Sequence, residues 1–233
     1  MVTIRFVLPM ALLLFFSTPL FGAEDNLYDF LWLDPDKSVY VLQNKVYAKK
    51  NKFYLNLGGV KGFSSRFQST YGIHGNVGYN FAEEWGFELF VNNYDNSNNT
   101  DYNNVKAINS SEPFVRRLNT IYGGMLTWSP FYGKINTFNE IIYFDWHFGV
   151  GPSKVHAESN INTVTDPTVS SRYEKEDYMG VTTRTGVKIY ISKSIHMGVD
   201  LMNTNYKAPG PRSKAKKKLR SNFDGILSLG FSF

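Results

Sequence analysis

From residue 51 to the C-terminus, apolar and polar residues alternate with a period of two, the spacing of strands that have one greasy and one polar face. The clearest run is 67–81. Phe67, Tyr71, Ile73, Val77, Tyr79 and Phe81 share one face with Ser69 and Gly75, while Gln68, Thr70, Gly72, His74, Asn76, Gly78 and Asn80 form the other. The same split recurs at Phe53/Leu55/Leu57, Trp85/Phe87/Leu89/Val91, Ile142/Phe144/Trp146/Phe148/Val150 and Val181/Val187/Ile189/Ile191. Ile195/Met197/Val199/Leu201 and Phe223/Leu227/Leu229/Phe231/Phe233 complete the series. Around 118–128 it blurs, because Ile121 and Met125 oppose Tyr122, Leu126 and Trp128. This pattern predicts eight strands. The links at 82–84, 129–134 and 192–194 are short; those at 95–114, 152–177 and 207–221 are long and polar, and 61–66 is a short link on the long-loop side.

Alternation does not say which face turns inward, and a soluble sandwich or lipocalin-like barrel would share it. Three features favour a membrane barrel. The polar faces are rich in Gly, Asn and Thr with a few opposed charges, a filling suited to a narrow lumen. Trp85, Trp128, Tyr71, Tyr79 and Phe81 fall near strand ends, where interfacial girdles belong. The chain also stops on an alternating strand whose last residue is Phe233. The expected fold is therefore all-β, an eight-stranded antiparallel transmembrane β-barrel over 51–233, with short turns and both termini periplasmic. Residues 1–23, with Arg5, the apolar run 6–16 and Gly22-Ala23, read as a secretory signal peptide. Residues 24–50 read as a periplasmic segment, and its Leu27, Tyr28, Phe30, Leu31 and Trp32 mark a candidate surface for a periplasmic protein partner.

Composition narrows the chemistry. With Tyr 15 and Phe 19 in 233 residues a disordered tail is excluded, and with Cys 0 so are disulfides, thiolate zinc sites, Cys nucleophiles and a lipoprotein anchor. The net charge of +5 is concentrated at 207–220, where Lys207, Arg212, Lys214, Lys216, Lys217, Lys218 and Arg220 occur without an acid. Such a run attracts polyanions, and for an exported barrel the expected one is lipopolysaccharide; nucleic acid is excluded for want of stacking aromatics in the loop. Folding the hairpins about these links places Glu140 opposite Lys188, Asp145 near Arg184 and Asp200 beside both basic residues, a structural charge network inside the lumen. A conducting path is the sharper alternative, although eight strands leave an interior that side chains can fill.

Eight strands, a leader and a terminal Phe resemble the small OmpA-like and OmpX-like barrels. The last strand, with Leu227, Leu229, Phe231 and Phe233, resembles the C-terminal assembly signal of outer-membrane proteins, which implies the barrel-insertion machinery as a partner; the customary glycine falls at Ser228. Segment 33–59, with Val39, Leu42, Gln43, Asn44, Lys45, Tyr47 and Lys49-Lys50 leading into a Gly-ended strand, resembles the outer-membrane β-barrel domain family of myxobacteria and predatory relatives. That likeness implies a structural or envelope-complex role. Some barrels of this size act on lipid A. Their deacylase type resembles a His-x-Ser pair, which none of His74, His147, His156 and His196 forms, and the palmitoyl-transferring type resembles a His, Asp, Ser set that only His156 with Asp166 imitates. No enzyme, cofactor or metal site is expected.

Overall fold

In a computed structural model of the chain, residues 45–109, 112–137, 140–165, 173–211 and 216–233 are described. Residues 1–44, which hold the expected signal peptide and most of the expected periplasmic segment, lie outside them, as do Asp166, Arg212 and Lys214. The compact body is Val46–Phe233.

Eight strands, β1 (Lys52–Gly62), β2 (Gln68–Asn80), β3 (Trp85–Asn98), β4 (Arg116–Thr137), β5 (Glu140–Ser159), β6 (Glu174–Tyr190), β7 (Ile195–Ala208) and β8 (Lys218–Ser232), form one closed barrel in chain order. Each pairs antiparallel with the next, and β1 closes the ring on β8 through partners such as Leu57 and Leu229. Closure satisfies the backbone groups an open sheet would leave at its edges, a requirement for any β structure in lipid. Asn51, with φ of 61°, turns the chain into β1, and asparagine tolerates that left-handed conformation. The ends joined after β2, β4 and β6 lie at the same end of the barrel as the start of β1 and the end of β8, the turn end; the strand ends joined after β1, β3, β5 and β7 lie at the opposite, loop end.

The alternation resolves into an inside-out protein. Leu57, Ile73, Leu89, Leu201 and Leu229 face outward at 60%, 69%, 52%, 62% and 60% exposure, whereas Glu88, Asp145, Arg184 and Asp200 face inward at 5% or less. Burying one such aliphatic side chain is worth about 1.5–3 kcal/mol, so a ring of them left in water would be ruinous; hydrocarbon is the medium that fits this surface. At the turn end, rings form a collar: Trp85 stacks on Trp128 at 5.8 Å, Trp146 on Phe148 at 5.7 Å, and Phe53 touches both Tyr79 at 4.6 Å and Phe233 at 6.2 Å. Aromatic girdles of this kind belong at a membrane interface.

Three expectations change. The expected turn at 129–134 is strand: β4 runs through it to Thr137, and β5 begins at Glu140. Pro130, which has no N–H to give a ladder, sits at a register shift between Trp128 and Phe131, after which pairing with β5 resumes while pairing with β3 has stopped at Trp85↔Trp128. The polar link 95–114 is only partly a loop: β3 continues to Asn98, and α1 (Thr100–Asn109) follows, its start capped by Asn99, whose Oδ1 accepts the Tyr102 N–H at 3.1 Å. In the last turn of α1, Lys106 donates to Glu112 at 3.0 Å, and this hydrogen bond holds its ammonium above the ordinary range. A further short helix, α2 (Ile161–Thr165), follows β5. Finally, the barrel body takes in residues assigned to the preceding segment. Tyr47 stacks on Tyr190 at 4.7 Å, and Lys49 is buried.

Candidate functional site: the filled lumen and its loop-end mouth

The inward residues of successive strands stack in layers. In the half nearer the turn end, Arg184 of β6 donates through Nη1 and Nη2 to both carboxylate oxygens of Glu88 on β3, at 2.5 and 2.6 Å. Tyr54 of β1 donates its hydroxyl to the same carboxylate at 2.9 Å. Asp200 of β7 sits 3.8 Å from Arg184 Nε and 2.7 Å from His147 Nε2. Gly186 makes room here, since a Cβ at that position would run into the Asp200 carboxylate. Nearest the turns, Lys49 reaches Asp145 at 2.6 Å, and Tyr190 donates to the same carboxylate at 2.6 Å. The backbone N–H groups of Lys49 and Lys50 donate to Glu83, at 3.2 and 3.0 Å, and pin this stretch to the 81–84 turn.

Above the charges lies an apolar plug. Val60, Phe90, Ile121, Met125, Met202 and Ile226 project inward from β1, β3, β4, β7 and β8, all at 4% exposure or less. His74 and Asn92 meet at 2.5 Å beside it, and Tyr94 donates to Asp224 at 2.8 Å above it. Among the charged layers one cavity of about 20 Å³ opens, space for about a single water. Among the described residues, these inward side chains pack the lumen from the charged layers to the plug.

The expected lumen residues are partly regrouped. Glu140 pairs with Thr137 at the tight turn and is exposed, so it is not the counter-charge of Lys188. The strand register instead sets Lys188 beside Asp145, and its ammonium lies 4.1 Å from the centre of the Tyr54 ring. Asp145 lies opposite Lys188 rather than Arg184, whose own carboxylates are Glu88 and Asp200. Sequence reading missed Glu88 and Lys49. Glu88 sits on the polar face of its strand, which was a usable signal; Lys49 precedes the alternating region and gave none.

At the loop end, Lys207, Lys216, Lys217 and Lys218 are exposed. Arg220, read with the basic loop, lies on β8 itself and is half-buried. It shares the inward parity of Asn222 and Asp224, while Leu219 beside it points outward at 67% exposure. Leu227, Leu229, Phe231 and Phe233 all face outward. His156 of β5 meets Asp177 of β6 at 2.5 Å on the loop-end extensions of these strands. Among the described residues no cluster of His, Asp and Glu is arranged to hold a metal.

The sequence matches no protein-family model, and no curated relative matches it. Among solved structures it is similar to the N-terminal β-barrel domain of Pseudomonas aeruginosa OprF, with 11% identity over 79% of this chain and 98% of that one and a TM-score of 0.49. It is also similar to Neisserial surface protein A, with 11% identity, coverage of 77% and 95% and a TM-score of 0.47. The outer-membrane protein OprG of Pseudomonas aeruginosa gives 14% identity, coverage of 80% and 97% and a TM-score of 0.45. The fold assignment itself rests on the closed ring of eight strands.

Proposed function

We propose that this chain is a non-conducting outer-membrane barrel of a Gram-negative envelope, a scaffold that holds its loop-end surface outside the cell. In this reading the turn end and both termini are periplasmic. The observation that carries it is the packed lumen: the Glu88–Arg184–Asp200 layer and the plug of Phe90, Ile121, Met125 and Met202 occupy the cross-section that a pore needs. Opening a path through them would break a buried bidentate ion pair, and separating such a pair costs about 3–5 kcal/mol.

The exposed lysines 207, 216, 217 and 218 support contact with lipopolysaccharide phosphates by charge. The outward, apolar final strand fits recognition by the insertion machinery. The resemblance of 33–59 to barrels of myxobacteria and predatory relatives favours a role within an envelope complex, with 24–44 as the segment that reaches a periplasmic partner. A lipid A-modifying activity has weaker support, because His156 is paired with Asp177 at the loop end and no catalytic set accompanies it among the described residues. The test is liposome swelling with the full mature chain. Vesicles carrying it should swell in isosmotic small sugars no faster than empty vesicles; fast swelling contradicts the scaffold reading.

A further inference from the structure

Above the plug, the loop-end mouth holds a cavity of about 320 Å³, walled by the β1–β2 link and by β4, β7 and β8. That volume lies at the small end of the range of roughly 300–1,000 Å³ usual for ligand pockets. Three arginines, Arg66, Arg116 and Arg220, are among the residues that line it, and no Asp or Glu is. Arg116 is already committed: its Nε donates to Glu176 at 2.8 Å and its Nη2 to the Pro209 carbonyl at 3.1 Å. Arg66 and Arg220 meet no carboxylate within ion-pair distance among the described residues, and the Nε of Arg220 is buried with no hydrogen-bond partner. Two guanidinium charges that no carboxylate neutralises give the cavity a field that attracts an oxyanion. Asp224, two inward positions further along β8, has its Oδ2 accepting from Tyr94 and Asn222 at 2.8 Å each, while its buried Oδ1 has no hydrogen-bond partner. The remaining wall alternates hydroxyl and amide groups with the rings of Phe67, Phe114 and Tyr206.

We propose that this cavity is a binding site for a small phosphorylated sugar. The phosphate is drawn to the guanidinium charge of Arg220, with Arg66 adding to the field. The polar wall suits sugar hydroxyls, and the rings suit the apolar face of a pyranose. The packed lumen beneath makes the cavity a dead end rather than a station on a transport path. The sugar phosphate is either free in the medium or carried by a phosphorylated glycolipid of the membrane.

The test is calorimetric titration of the full mature chain in detergent micelles with glucose 6-phosphate, with glucose and with detergent-dispersed lipid A. Saturable binding of glucose 6-phosphate, weakened on the order of tenfold in Arg220→Gln, supports the site with a free ligand; the same loss seen only with lipid A supports it with a membrane-borne one. Heat-modifiable gel mobility confirms that the variant is folded, and Arg66→Gln, on an exposed link, replaces it should Arg220→Gln fail to fold. Binding of glucose as tight as that of glucose 6-phosphate, binding of neither phosphorylated probe, or unchanged affinity in the folded variant overturns the proposal.

Discussion

Arg184 on β6 and Glu88 on β3 form a two-pronged ion pair across the lumen, with both nitrogen–oxygen distances at 2.6 Å or less and neither side chain more than 4% exposed. Removing one partner leaves the other charged in a dry interior. Arg184→Met should therefore destabilise the barrel by about 3–5 kcal/mol in urea unfolding from lipid, and Glu88→Leu added to it should recover much of the loss. Equal stability of the single and double variants would contradict the pairing.

The lipid-facing assignment is open to a direct stability test at Leu57, which is 60% exposed at the middle of β1. Leu57→Arg should cost about 2–4 kcal/mol in bilayer unfolding, as for a cation placed near the membrane midplane. On a water-soluble barrel an exposed site of this kind would tolerate the change within about 0.5 kcal/mol.

The lysines of the last loop give a third expectation. Lys216, Lys217 and Lys218 are exposed and touch no part of the apolar plug. Changing all three to Gln should weaken lipopolysaccharide binding at 0.01 M salt, where the Debye length is about 30 Å, and have a smaller effect at 0.1 M, where it is about 10 Å. Binding by the triple variant equal to that of the parent at low salt would show that these lysines are merely solvated.

How far the fold was legible follows from which residues obeyed the period. Strand number, antiparallel order and the outward set of Leu57, Ile73, Leu89 and Leu229 were readable, because lipid imposes one simple demand on alternate positions. Ile121 and Met125 broke the pattern of β4 for a specific reason: they fill the barrel interior, where an apolar side chain packs as well as a polar one. Phe90, Met202 and Ile226 do the same, so what looked like noise was the plug. The charge network was less legible, since it depends on register. β4 extends past Pro130 to Thr137, and this extension carries Glu140 out of the lumen. Lys49 could not be found by periodicity at all, because it enters the lumen from outside the strands.

The central claim, that side chains close this barrel, is tested most directly by planar-bilayer recording of the purified protein, with Glu88→Ala/Arg184→Ala/Met125→Ala alongside. Wild-type protein, confirmed folded by heat-modifiable mobility, should give no steady conductance, while the triple variant, which removes the ion pair and part of the plug, should give discrete openings. Stable wild-type channels would contradict the account.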